Sequence, residues 1–224
     1  MVLLSFDTAT PQVTVALHDG TASVGGDDAT VEDNLIGMHA DGTMSTAANA
    51  GYGIAHAGDD VVIRHNYVRV DNSGIRREGT AAGGLIEENE IGAPDGGQTL
   101  TFDGVLFILG EDDSSSNDLV RWNLIRDQRG GCVEIGWNGG LFDDLRFVEN
   151  TSTRCGFLAD GVTPSLEPVS IVVRNTAPGS TISFSGNLVT ANARAGLANL
   201  DLVKYLLSEL AKSKGQRVEA LQQL

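Results

Sequence analysis

Proline is scarce in this chain, at 5 of 224 residues, and cysteine scarcer, at 2. So little proline excludes a polyproline rod or a Pro-rich linker. Cys132 and Cys155 do not form a CxxC, which excludes a disulfide-dense scaffold, and no Cys/His set has zinc spacing. Two readings of the pair stay open: one disulfide between neighbouring segments, or two buried thiols. Aromatic residues make up 5%, too few for a broad stacking platform for single-stranded nucleic acid. Bases are also few, 15 against 30 acidic side chains, for a formal charge of -15. All three lysines (Lys204, Lys212 and Lys214) lie in the tail, so the body carries the acidic excess. Such a body repels nucleic acid and anionic lipid, and neither nucleic acid nor membrane is expected as a partner. No apolar run of about 18 residues could span a bilayer. The opening MVLLSFDTATPQ lacks a basic n-region and meets Asp7 too early for a signal-peptide core. The expected location is extracellular or cell-surface if an export signal has been removed, and cytoplasmic otherwise.

Glycine is abundant, at 28 residues, without a Gly-X-Y period, and 41% of the chain is hydrophobic. Many tight turns around a continuous core follow. Asparagine recurs in one local frame, at Asn34, Asn66, Asn89, Asn123, Asn150, Asn175 and Asn187. Three residues before each stands an apolar side chain: Val31, Ile63, Ile86, Val120, Phe147, Val172 and Phe184. Two residues after each stand Ile36, Val68, Ile91, Ile125, Ser152, Ala177 and Val189. Short β-rich runs are thus interrupted by a residue that tolerates a left-handed turn and can bond to the Asn above and below it. Each coil leaves an apolar face that only its neighbours can cover, so stacking creates the core. Asn175 and Asn187 are too close for both to belong to the ladder.

A glycine frame runs in parallel. Gly53, Gly74, Gly104, Gly131 and Gly156 each precede an apolar or Cys residue. Their intervals read as coils of 21, 30, 27 and 25 residues. About seven coils at roughly 4.8 Å each make a stack of about 34 Å. The fold expected is all-β: a right-handed, single-stranded parallel β-helix over 29–198, after an N-terminal strand and cap region over 1–28. A β-sandwich also explains turn-bounded strands, but not the repeated Asn and Gly frame. From Leu200 the pattern changes, with Val203, Leu206, Leu207 and Leu210 at helical spacing. A helix over 199–224 is expected to cap the open end of the stack or to mediate self-association.

The run Asp33 to Val68, with its NLIG, ADGT, GI and HNYV elements, and GGLIEENEIG after it, resembles the right-handed parallel β-helix repeats of the pectin-lyase-like superfamily. The resemblance covers about residues 29–197 and implies the fold. The superfamily includes lyases, hydrolases, epimerases, tailspikes and adhesins, so no activity follows from it. Its paired-aspartate hydrolase signature with GHG and RIK elements is absent, as is a DPH element. The first twenty residues, MVLLSFDTATPQVTVALHDG, separately resemble the opening of the TsaB proteins of tRNA threonylcarbamoyladenosine synthesis. The match ends near Gly20, which implies either a first strand and turn of the β-helix or a chimeric gene.

Acidic pairs recur six to seven positions before the ladder Asn, at Asp27-Asp28, Asp59-Asp60 and Asp143-Asp144. The first two pairs are expected to stack, so Asp27, Asp28, Asp59 and Asp60 are candidate Ca²⁺ ligands, with solvated turn residues as the plainer reading. Glu111-Asp112-Asp113 is a similar acidic loop. For acid/base work the candidates are Arg77, Glu134 and Asp103. Glu134 follows Gly131 by three residues, as His56 follows Gly53 and Arg77 follows Gly74, which places all three at one strand position. Arg76 and Arg77 beside the Asp59-Asp60 corner form the arrangement a lyase would need. Asp160 flanks the same strand; His39, His56 and His65 are scattered; Trp122 and Trp137 could stack on sugar rings. Three functions remain. The first is a non-catalytic surface, adhesion or glycan-binding β-helix whose partner is a polysaccharide or cell-surface glycan. The second is a polysaccharide lyase or glycoside hydrolase acting in a groove. The third is a chimeric or engineered scaffold without natural activity.

Overall fold

The computed structural model describes residues 22–24, 26–37, 52–70, 72–92, 103–158, 160–165, 169–193 and 195–199. Within them the protein is all-β, with short strands in four sheets and no helix. Every strand pairing is parallel, an arrangement compatible with a parallel β-helix. The C-terminal helix, the TsaB-like opening and His39 lie outside the described residues.

One sheet has seven strands: Ala22–Val24, Ile54–His56, Ile75–Glu78, Val105–Leu109, Val133–Trp137, Val169–Arg174 and Ala195–Asn199. A six-stranded sheet precedes the ladder Asn: Thr30–Glu32, Val62–Arg64, Leu85–Glu87, Leu119–Arg121, Leu145–Val148 and Ile182–Ser185. Another six-stranded sheet follows it, from Leu35–Ile36 to Leu188–Thr190. Ala81–Ala82, Ser114–Ser116 and Leu141–Asp143 form a three-stranded sheet. The chain visits the sheets in one cyclic order, and each circuit hydrogen-bonds to the next.

The two apolar rows seen in the sequence become interior columns. Val31, Ile63, Ile86, Val120, Phe147 and Phe184 align across one six-stranded sheet. Ile36, Val68, Ile91, Ile125, Ser152 and Val189 align across the other. Phe147 stacks on Phe184 at 5.2 Å and meets Phe107 edge-on at 5.9 Å. Between the columns runs a ladder of Asn34, Asn66, Asn89, Asn123, Asn150 and Asn187. The Nδ2 of each donates to the Oδ1 of the next at 2.9–3.0 Å, and so does each backbone N–H at 2.9–3.1 Å. The intervals are 32, 23, 34, 27 and 37 residues, so insertions leave the ladder intact.

Several expectations need correction. Asn175 is not in the ladder: it follows the strand Val169–Arg174 of the seven-stranded sheet and donates to Trp137 O at 3.1 Å. Its companions Val172 and Ala177 therefore stand outside the interior columns. The left-handed residue is not the Asn but the one before it, as at Asp33, His65, Glu88, Trp122 and Glu149. That residue turns the chain and leaves the Asn free to point inward and bond.

The glycine frame holds at Gly53, Gly74 and Gly104, where a Cβ would come within 2.5–2.7 Å of a carbonyl oxygen of the next circuit. It fails at Gly131 and Gly156. Val105 pairs with Val133 and Val133 with Ile171, circuits of 28 and 38 residues, so Cys132 rather than Gly131 follows Gly104. Cys132 is bonded to Cys155 across a Cα–Cα distance of 5.5 Å. The disulfide fills that buried corner and settles the question the sequence left open.

Candidate functional site

The one-residue shift at Gly131 decides which face Glu134 occupies. His56 pairs with Arg77, Arg77 with Phe107, and Phe107 with Ile135, all on the inward face. Glu134 instead aligns with Leu106 and Arg76, on the outward face. Its expected equivalence with His56 and Arg77 is therefore wrong, because adjacent residues of a strand point to opposite sides.

Arg77 lies inside and is 1% exposed. Its guanidinium donates to the carbonyls of Glu78, Gly79 and Ala81 at 2.6–2.8 Å and lies 3.5 Å from Asp118. Burial pulls its pKa below the ordinary value, against the opposing pull of Asp118. Burial likewise pushes the Asp118 carboxyl up, although Ser115, Arg77 and the Gly84 N–H bond to it. His56, beside Arg77 in the sheet, is buried, and burial with the Arg77 charge lowers its pKa to about 3. This is a neutral imidazole and an internal ion pair that hold a corner of the fold. Arg77 feels the charge of Asp59, but its guanidinium is buried inside the coil and not presented on the surface.

The first two aspartate pairs stack as expected, and the first member of each gives a carboxylate oxygen to the backbone of the next circuit. Asp27 Oδ1 accepts from Asp59 N at 3.0 Å, and Asp59 Oδ1 accepts from Ala82 N at 2.7 Å. Asp28, Asp60 and Asp144 are the left-handed turn residues. Among the described residues no group of three or more His, Cys, Asp or Glu is placed to hold a metal ion. Asp113 accepts from Gly110 N and Thr80 Oγ1, and Asp160 accepts from Val162 and Thr163, which lowers the pKa of Asp160. Both stabilise turns. His65 sits at the exposed ladder corner, 2.5 Å from Glu88.

Asp103 and Glu134 do come together with other groups, in a groove of ≈ 430 Å³ on the outer face of the seven-stranded sheet. Leu106 and Ile108 give it an aliphatic floor, and Tyr52, Asn72, Ser73 and Arg76 line one side. Arg129, Gly130 and Ser165 come from loops that the disulfide ties together. Asp103 is 5% exposed and accepts from Gly131 N at 3.1 Å, which anchors the first of these loops.

Two aromatic rings in the groove each carry a guanidinium on one face. Arg76 lies 4.3 Å from the Tyr52 ring centroid and Arg174 4.3 Å from that of Trp137. Arg76 is paired with Glu78 at 2.6 Å, and Arg174 with Glu134, which is 1% exposed. The Trp137 ring is 47% exposed. Alternation would turn Trp137 inward beside Leu109, its register partner. Instead its φ is 89°, and the preceding Gly136 has φ 116° with a backbone so close to Arg174 that a Cβ would lie 1.6 Å from Arg174 O. A bulky residue held there is strained, and the strain presents the indole outward. Trp122, the other tryptophan singled out, stacks under Arg121 at the ladder corner and does not line the groove.

Tyr52, Arg129 and Arg174 had no signal in the sequence. Arg174 hides behind the misassigned Asn175, and Tyr52 and Arg129 enter only through the loops that close around the sheet.

Comparison with known proteins adds little. No family model and no solved structure matches the chain. A stretch of 28 residues, 12% of this chain, is 68% identical to a probable malate:quinone oxidoreductase of Kocuria rhizophila, of which it covers 6%. The chain thus spans a small fraction of that protein's length, and the likeness carries no activity across.

Proposed function

We propose that the chain is a right-handed parallel β-helix of the pectin-lyase-like kind that binds a glycan, without cleaving it, in the groove of the seven-stranded sheet. The fold reading is supported by the cyclic order of the four parallel sheets and the Asn ladder, and the hand by the strong preference of parallel crossovers for the right. The observation that carries the function is Trp137. Its backbone is strained, one ring face is braced by the Arg174–Glu134 pair, and the ring remains half exposed over an aliphatic floor. A flat apolar face ringed by hydrogen-bonding groups matches the C–H face and hydroxyl rim of a pyranose.

Cleavage is the second reading, because Asp103 and Glu134 line one groove, as two-carboxylate chemistry requires. Against it, Glu134 is committed to Arg174 and Asp103 to a backbone amide. Affinity electrophoresis through gels containing different polysaccharides, with Ca²⁺ or chelator, tests both. Retardation that Trp137→Ala abolishes, with no new chain ends, supports binding. Release of short products that Asp103→Asn or Glu134→Gln abolishes would replace it with hydrolysis or lysis. No retardation in any gel would sink the glycan reading.

A further inference from the structure

The charges around the groove say which class of glycan it takes, given the glycan-binding reading on which this inference rests. Among the described residues, the ionisable side chains lining it cancel: Arg76 and Arg129 against Asp103 and Glu134. Two of the guanidiniums at the aromatic rings are already committed, Arg76 to Glu78 and Arg174 to Glu134. The second pair is buried on its acidic side, with the Glu134 side chain 1% and that of Arg174 17% exposed. An anionic sugar claiming Arg174 would strand the Glu134 charge in the protein, which is strongly unfavourable. It would also move its own charge towards a protein whose formal net charge is -15. Arg129, exposed at the rim, forms no ion pair among the described residues, and of the described lining it is the cation that a carboxylate or sulfate could claim.

We infer that the groove binds a neutral glycan, with recognition by the Trp137 and Tyr52 rings and by hydrogen bonds from Asn72 and Ser165. The Arg–Glu pairs act as internal braces that hold the rings and present no net charge to the sugar. Arg129 is then a bystander. In this arrangement affinity comes from apolar contact and neutral hydrogen bonds, neither of which salt screens, whereas recognition of a polyanion weakens steeply with salt.

The test is calorimetric titration of the full chain with hexasaccharides. Cello-, xylo-, manno- and maltohexaose represent neutral glycans; hexagalacturonate and a heparin-derived hexasaccharide represent anionic ones. At least one neutral hexasaccharide should bind, with a Kd that changes less than about twofold between about 50 and about 500 mM NaCl. Trp137→Ala should weaken it at least about tenfold, as removal of an aromatic anchor does, while Arg129→Ala leaves it within about twofold. Tyr52→Ala, a second aromatic change away from the strained Trp137 backbone, should also weaken binding, so a folding defect in the tryptophan variant leaves the test intact. Preferential binding of an anionic hexasaccharide, steeply salt-dependent and lost in Arg129→Ala, would overturn neutrality and leave the glycan reading standing. Binding of none of the six would overturn both.

Discussion

Replacing Asn89 by alanine tests the ladder where it is most enclosed. Asn89 Nδ2 donates to Ile63 O, Glu87 O and Asn123 Oδ1, and its Oδ1 accepts from both the N–H and the Nδ2 of Asn66. Without the side chain, Asn66 Nδ2 keeps Val31 O and Arg64 O, and Asn123 Oδ1 keeps the Asn89 N–H. The Asn66 N–H keeps nothing. A buried donor left unpaired costs about 1–3 kcal/mol, and each of the other lost bonds about 0.5–1.5. The sum is about 3–9 kcal/mol, a large part of the ~5–15 kcal/mol that holds a domain together. Asn34 is different, because its Nδ2 donates to Glu32 O and Asn66 Oδ1 while that Oδ1 keeps the Asn34 N–H. Asn34→Ala should therefore cost about 1–3 kcal/mol, with no donor left unpaired. Asn175 is exposed, with φ 47°, so Asn175→Gly should change stability by less than about 1 kcal/mol. Urea unfolding followed by far-ultraviolet circular dichroism would rank the three. If Asn89→Ala proved no more harmful than Asn175→Gly, the ladder would not be what holds the circuits together.

Three further outcomes follow from the same geometry. Replacing both cysteines by alanine removes a cross-link across 23 residues, worth about 3 kcal/mol by loop entropy, and should lower the thermal midpoint by about 10 °C in differential scanning calorimetry. His56 titrates at about 3 in the fold against 6.5 ordinarily, so between those values the unfolded chain binds the extra proton. Its contribution is full above pH 6.5 and falls as pH drops towards 3, by up to about 1.4 kcal/mol per pH unit. Stability of His56→Leu measured from pH 7 to 4 should be flatter than wild type by that slope, and equal slopes would mean the imidazole is hydrated or paired. Arg77→Met strands Asp118 in the interior and should cost about 3–5 kcal/mol by denaturant titration. Any glycan affinity of the folded fraction should survive it; loss of binding without loss of stability would return Arg77 to the groove.

The repeat was legible in the sequence because one inward Asn, with an apolar residue three before and another two after, satisfies the same constraint in every circuit. Inserted residues leave as loops, so that local frame survives intervals from 23 to 37 residues. Val31 to Phe184 and Ile36 to Val189 could therefore be placed in columns, apart from the false entry made through Asn175. The faces of the seven-stranded sheet were not legible in the same way. No Asn pins that sheet, and counting from Gly131 instead of Cys132 shifts the register by one and turns Glu134 from the outer face to the inner. The fates of the charged candidates also depended on neighbours distant in sequence. Arg77 is internal because Asp118 and three carbonyls meet it there, and Asp27 and Asp59 each accept from an amide of the next circuit. Trp137 faces outward against its alternation because Gly136 passes against the Arg174 backbone one circuit away. Local spacing determined the stack; contacts between circuits and the loops that close over them decided the groove.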